Sequence, residues 1–299
     1  MPLRASLSGG PGDEVPRTVM SSYRFCRTDD IGLLVDALNR CWVPHFPGEA
    51  PMTPAAFKRS IRDLQVWCSS CMVAFSGSEP IGVLIGAKRP SGTLVHRIAV
   101  HPDHVRQGHG RHLLTSLSSK LAILGPPRIV AEVPERLVAA CELFRTGGYG
   151  EEACLTDYVM EHDVDDCEIT GRFVIPVTMD DLAANGLLEK AGSQVCWERS
   201  AETLSARKAE TAGLAVASDE SIEAYVVSGA GGEILALRSL VADGGARVRH
   251  LLSRLHAQGV TTFSFSKVHP AEISAEMLGA LGFRAAGGHR LYATTARPG

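Results

Sequence analysis

Nowhere in the 299 residues does an apolar run approach the ~20 residues that cross a bilayer, which excludes a helical membrane span. Positive charge is not in excess: 30 Lys+Arg stand against 33 Asp+Glu, a net charge of −3. No basic field is offered to a nucleic-acid backbone or an anionic membrane, so neither is expected as a partner. The opening MPLRASLSGGPGDEVPRTV has no apolar centre, which predicts no secretory signal. With eight scattered cysteines, this points to reduced thiols and a cytoplasmic location. There is no G-x-x-x-x-G-K-[ST], which excludes a P-loop. Cys68-Ser-Ser-Cys71 has no second pair at metal-ligand spacing. It reads as structural, on a strand whose side chains alternate between faces.

What is present is material for packed cores. Hydrophobic residues make up 45% of the chain against 21% charged, which excludes a disordered scaffold. The length suggests about two domains. Residues 1–20, rich in Gly, Pro and Ser, read as an extension. Residues 21–162 form a first unit and 163–170 an acidic linker overlapping EHDVDDCE, five of whose eight residues are acidic. Residues 171–299 form a second unit.

In the first unit a strand at Tyr23–Cys26 precedes a helix over IGLLVDALNRCW, with Thr28 and Asp29 as candidate caps. Thr53-Pro54 opens a second helix in the N-cap and first-turn manner. VWCSSCMVAF and IGVLIGAKR read as a hairpin, LVHRIAV and RIVAEV as strands, RQGHGRHLLTSLSSKLAIL and ERLVAACELFRTGGY as helices, and LTDYVM as the closing strand. The second unit repeats this order. FVIPVT leads into helical DDLAANGLLEKAG and ERSAETLSARKAE. A hairpin of GLAVAS and SIEAYVVSG, then GEILALRSL, a helix around ARVRHLLSRLHAQ, VTTFSFSKV, AEISAEMLGALGF and HRLYATT complete it. Gly125 and Gly148 recur at Gly259 and Gly282, both 134 residues on, while His112-Leu-Leu recurs 138 on at His250. The second of the paired helices is therefore expected to be about one turn shorter. Duplication follows.

The informative segment is LVHRIAVHPDHVRQGHGRHLLTSL: a strand ending at Val100, a turn with Pro102 and Asp103, then Gly108 and Gly110 opening an amphipathic helix. The first turn of a helix carries N–H groups without intrahelical partners and the positive end of the dipole. Glycines let that backbone approach a phosphate closely, and Arg106 and Arg111 flank it. Alone, a G-x-G at a helix start also suits a merely flexible entry. The antiparallel hairpin ahead of it is unlike a dinucleotide-binding βαβ unit.

Here the chain resembles the GNAT superfamily of acyl-CoA-dependent N-acetyltransferases, whose [QR]-x-x-G-x-[GA] signature after a strand ending V-x-P is similar to VHPDHVRQGHG. The resemblance spans Tyr23 to Met160, including the pair Gly148-Tyr149. It implies an α/β (α+β) fold of tandem GNAT-like domains, each a twisted, mostly antiparallel mixed sheet flanked by helices. It implies acetyl-CoA as co-substrate and no metal. It assigns cofactor binding to Val105, Arg106, Gln107, Gly108, His109, Gly110 and Arg111, with the backbone of Ile98, Ala99 and Val100 along the thioester and an oxyanion-donating N–H among them. Two departures stand out. The Gln/Arg position falls on Val105, with Arg106 one place later, and Phe144 occupies the place of the tyrosine that many members use to protonate the leaving thiolate. Phe144 is kept as a cofactor contact.

An amine acceptor is protonated at neutral pH and must lose a proton before attack. His96, on the strand before the turn, is the leading base. Glu132, on RIVAEV, is the second, acting through a water. Their bland alternatives are a strand histidine and an outward-facing carboxylate. His101, His104, His109 and His112 suit phosphate or solvent better than a metal. Glu151-Glu152 suits a solvated turn better than a cationic acceptor. Aligned on His-Leu-Leu, Gly108 meets Ala246 and Gly110 meets Val248, with Gly244-Gly245 upstream as a displaced turn. The second unit reads as a degenerate half that completes a sheet or shapes the acceptor cleft. The expected reaction is direct transfer of acetyl to a primary amine of a small molecule or peptide. A non-catalytic acyl-CoA sensor or assembly module is the alternative, and a homodimer is left open.

Overall fold

The computed structural model describes residues 21–161, 173–188 and 194–298. The expected extension at 1–20 and the acidic linker at 163–170 lie outside the described residues. The first half runs β1 (Ser21–Phe25), α1 (Ile31–Cys41), α2 (Pro54–Leu64), β2 (Met72–Ser76), β3 (Glu79–Arg89), β4 (Gly92–Val100), α3 (His109–Leu124), β5 (Arg128–Pro134), α4 (Val138–Thr146) and β6 (Gly150–Met160). The second runs β7 (Phe173–Val177), α5 (Met179–Ala184), α6 (Ala201–Ala206), β8 (Ala212–Ala217), β9 (Ile222–Ser228), β10 (Ile234–Ser239), α7 (Ala246–Ala257), β11 (Phe263–Val268), α8 (Ala275–Ala280) and β12 (Arg284–Thr295).

The duplicated order is present, and α7 is 12 residues long against 16 for α3, the turn that the offsets predict. Thr53 caps α2, its hydroxyl accepting the Ala56 N–H at 3.1 Å. The cap of α1 is Asp30, not Thr28 or Asp29. Its carboxylate is taken by Arg24 and the Arg27 N–H, so it makes no side-chain cap bond. Cys68–Ser70 is a 3₁₀ turn, not strand, so Cys68 and Cys71 enter the same core instead of opposite faces. Both are free thiols.

The strands do not stay within their halves. One sheet has the order β1-β2-β3-β4-β5-β12-β6-β11, and a second has β10-β9-β8-β7, joined to β11 by a single Glu233–Ser264 bridge. The last strand of the second half, β12, thus lies antiparallel between β5 and β6 of the first, and β6 in turn pairs with β11. Both faces of the first half are covered. Val83 and Ile85 pack under α1 and α2, whereas Leu84 joins Leu113, Leu117 and Phe144 under α3 and α4. Buried on two sides, the central strands read as nearly continuous apolar runs. The exchange extends to side chains: Trp197 joins the first-half core, Tyr292 the core beneath α4, and Met160 the second-half core.

β4 and β5 form a parallel pair at Thr93–Ile129 and Leu94–Val130 only, then diverge. The divergence begins at a bulge. Val95 pairs with Gly86 and Arg97 with Ile85, leaving His96 as the extra residue.

Candidate active site

Beyond β4 the chain makes a 3₁₀ turn over Pro102–His104 and reaches α3 through two left-handed residues, Arg106 (φ 65) and Gly108 (φ 89). A non-glycine residue with positive φ is uncommon and tends to persist where function requires it. The main-chain N–H groups of Arg106 through Arg111 donate to no acceptor among the described residues, and α3 has no acidic residue in its first turn. Backbone donors so aligned, at the positive end of a 16-residue helix, make an anion-binding concavity. The guanidinium-bearing residues Arg106 and Arg111 are exposed beside it, as are Gln107 and Gly108. Val105, in place of the Gln or Arg, is 43% exposed.

Strand β4 supplies the second component. The His101 N–H donates to Ile81 O at 2.9 Å, so the N–H groups of Ala99 and Arg97 also turn toward β3. Those of Ile98 and Val100 turn the other way, where β5 has withdrawn. The Val100 carbonyl confirms that direction, since it accepts from His45 Nε2 at 2.7 Å on the loop after α1. Ile98 thus presents a main-chain donor to the gap that begins at the divergence.

His96 and Glu132 lie on the two sides of this gap, and both face residues of the second half. His96 is half-buried. Desolvation pushes its pKa down to about 4, against the attraction of Glu198 and with the repulsion of Arg97 and Lys267. It is therefore neutral throughout the physiological range and has a lone pair to offer. Glu132 is engaged. Oε1 accepts the Trp197 N–H at 2.7 Å, and Oε2 stands 3.2 Å from Lys267 Nζ. Its side chain is 6% exposed. The geometry gives it the task of anchoring the second half, not that of a free proton acceptor.

Three charged residues in this region carry no local sequence signal. Lys267 Nζ also bonds Glu198 Oε2 at 3.0 Å, and its main-chain N–H donates to Asp157 Oδ1 at 2.8 Å. Burial opposes the Lys267 charge, but Glu132 and Glu198 outweigh it and hold its pKa above the usual lysine value. Burial likewise opposes charge on Glu198, yet Lys267 and His96 hold its pKa below the usual carboxylate value. The outer wall comes from the loop after α1. Trp42 lies 4.8 Å from the Arg97 guanidinium and donates its indole N–H to Glu49 at 2.9 Å, with Glu49 3.8 Å from Arg97.

Other candidates are placed elsewhere. Phe144 is 2% exposed, edge-on to Tyr149 at 5.1 Å and stacked on Tyr292 at 5.9 Å, so its ring serves the core beneath α4. His109 is buried, with Nδ1 2.6 Å from the Tyr23 hydroxyl, while the Tyr23 ring lies 3.7 Å from that of His112 at a tilt of 32°. Among the described residues no group of three or more His, Cys, Asp or Glu could hold a metal ion. No helix among them is long and apolar enough to cross a membrane. Glu151 and Glu152 belong to β6, not to a turn, and are taken by Arg290 and Arg128.

The second half closes both components of the site. α7 is entered through Gly245 (φ 84), the counterpart of Gly108, so the turn falls one residue before the Ala246 that the His-Leu-Leu alignment selects. There an anion is already supplied. Asp243 accepts from the N–H groups of Gly245 and Arg247, both at 2.9 Å, and pairs with the Arg247 guanidinium. The gap between β10 and β11 is crossed by Arg199, whose guanidinium bonds both oxygens of Glu272 at 2.6 and 2.7 Å and the carbonyls of Ser266 and Lys267.

Residues 34–149 match the acetyltransferase (GNAT) family model. No curated protein matches the chain in sequence. Among solved structures, the chain resembles a tandem GNAT protein from the clavulanic acid biosynthesis pathway at 16% identity, with 94% of this chain and 100% of that one covered and a TM-score of 0.63. It also resembles a GCN5-related N-acetyltransferase from Sphaerobacter thermophilus at 15% identity, covering 93% and 96% with a TM-score of 0.66. A GCN5-related N-acetyltransferase from Kribbella flavida is similar at 12% identity, covering 93% and 71% with a TM-score of 0.64. Identities this low speak of the fold. Taken with the family match over residues 34–149, they show a GNAT acetyltransferase domain in the first half and a tandem GNAT fold for the chain as a whole.

Proposed function

We propose that the chain is an N-acetyltransferase that moves acetyl from acetyl-CoA to a primary amine by direct attack in a ternary complex, in the cytoplasm. The observation that carries this reading is the row of unpaired main-chain N–H groups from Arg106 to Arg111, set beside a strand pair that opens after Leu94. The chain's own groups fit a diphosphate followed by an extended thioester arm. The turn of Val105, Arg106, Gln107, Gly108, His109, Gly110 and Arg111 would hold the former, and the backbone of Ile98, Ala99 and Val100 would flank the latter.

Acetyl-CoA would supply an activated thioester when bound. Ile98 N–H is oriented to steady the oxygen on which charge develops. The ammonium first gives one proton to solvent; His96, neutral and on the same strand, then takes the second, which the amine gives up as the C–N bond forms and the C–S bond breaks. With Phe144 at the tyrosine's place, the sulfur leaves as thiolate. A thiol pKa of ~8.5 makes it a tolerable leaving group. The same turn would serve a non-catalytic sensor, which Phe144 and the closed second half favour.

Calorimetry with acetyl-CoA, together with thiol release over a panel of amines, tests the reading. Wild type should bind, and Gly108→Val, which forces a β-branched residue into a left-handed position, should weaken binding at least tenfold. Equal affinity would remove this turn as the cofactor site. Binding without thiol release for any amine or peptide would establish the sensor.

A further inference from the structure

We propose that Glu198, delivered by the second half, is the acceptor-binding residue, and that the acceptor is an aliphatic amine that arrives as a cation. The inference rests on the proposed acetyl transfer for its setting and deepens it by naming the class of acceptor.

Glu198 is the middle residue of a three-residue 3₁₀ turn, Trp197–Arg199, whose two outer members are fixed. Trp197 donates its main-chain N–H to Glu132 at 2.7 Å and its indole N–H to Leu64 O at 2.8 Å, with the Arg89 guanidinium 4.0 Å over its ring. Arg199 is 5% exposed, locked by Glu272 and two carbonyls of β11. Between two such anchors the Glu198 backbone has little freedom, yet its side chain is 39% exposed. Lys267 occupies Oε2, and Oε1 accepts no hydrogen bond among the described residues. A carboxylate held in place with one oxygen open is a preorganised receptor for an ammonium.

Charge around it is uneven. His96 and His289 both feel Glu198 and Lys267, and His289 also feels Glu132 and Asp157. Four carboxylates, Glu49, Glu132, Asp157 and Glu198, meet the cations Arg97 and Lys267 here, while Arg89, which also feels Glu132, is itself paired with Glu202 at 3.8 Å. Lys267 is shared by Glu132 and Glu198, so one negative charge there has no matching cation. An incoming ammonium supplies the missing charge. It also arrives next to His96, which with Arg97 sits at the bulge in β4, and both of them feel Glu198. An arylamine, neutral at pH 7, would gain nothing from Glu198.

The test uses the full chain, Glu198→Gln and two probes, 1,4-diaminobutane and aniline. Binding of each probe is measured by calorimetry in the presence of coenzyme A, a readout that does not need turnover. Wild type should bind the diamine at least tenfold more tightly than aniline, with the preference falling as salt is raised. Glu198→Gln should lose that preference while its circular dichroism and affinity for coenzyme A stay at wild-type values. Should the variant fail to fold, Glu198→Asp, which retains the charge on a shorter arm, should keep part of the preference. Diamine binding unchanged in Glu198→Gln, a wild-type preference for aniline, or no binding of either probe would each overturn the assignment. Acetyl transfer is judged separately by thiol release. Diamine binding lost in the glutamine variant without any release would retain Glu198 as the receptor and remove the transfer reaction.

Discussion

At the scale of single residues, the behaviour of His96 follows from its surroundings. Desolvation is the main reason that its pKa is pushed down to about 4. An unfolded histidine takes up its proton near pH 6.5. Above that pH the imidazole is neutral in both states and contributes no pH dependence. Between 6.5 and about 4 the unfolded chain binds a proton that the folded one refuses, so stability falls as the pH falls. The loss reaches roughly 3 kcal/mol at ~1.36 kcal/mol per pH unit. His96→Gln should lack this component. Urea unfolding at pH 7.5 and 4.5 should therefore show a smaller acid loss in the variant than in wild type, and parallel losses would mean that His96 is solvated. The same neutrality means that His96 is ready as a base wherever the protein is folded. Any rise in rate between pH 6 and 9 must then come from deprotonation of the acceptor.

At the scale of elements, the entries to α3 and α7 share backbone geometry but not occupancy. Gly108 and Gly245 have φ of 89 and 84, yet only the second turn contains its own carboxylate. Burial pushes the Asp243 pKa up, but the N–H groups of Arg247 and Gly245, the Arg247 guanidinium and the Ser239 hydroxyl hold it below its ordinary value. Asp243→Ala should lower stability by about 1–2 kcal/mol, the usual cost of a lost N-terminal cap, and calorimetry on wild type should find one acetyl-CoA per chain. Two equivalents on wild type, or an unaltered melting temperature in the variant, would contradict the closed turn. The first entry was legible in the sequence because strand end, glycines and helix are contiguous in VHPDHVRQGHGRHLL. The closure of the second was not. Asp243 reads as one acidic residue in a Gly-rich loop until its bonds are seen, and one additional residue between the glycine and His250 moves the turn off the alignment.

At the scale of the whole molecule, the strand pattern told which segments are strands but not who their neighbours are. HRLYATT alternates as a closing strand should, and nothing within it specifies that it pairs with β5 and β6, more than a hundred residues earlier. The same holds for Glu198 and Lys267, whose partners Glu132 and each other are distant in sequence. Register between remote strands is a property of the assembled cores. The exchange makes the halves mechanically one body. Tyr292 packs on Phe144 of the first half, and Arg89 of the first half donates to Ser200 and Thr203 of the second, each at 2.6 Å. Removing β12 would bare the edges of β5 and β6 and leave the first-half core beneath α4 open, so a chain ending at Phe283 should fail to fold in either half. Within the full chain, Tyr292→Ala should cost about 3 kcal/mol or more by emptying a buried ring site. Because β12 lies between them, amide exchange should accelerate in β5 as well as in β6. Thermal unfolding of wild type should likewise follow a single transition. Two separate transitions, with exchange in β5 unaffected by Tyr292→Ala, would show halves that fold independently and merely touch, and would leave Glu198 without the rigid seam that aims it at His96.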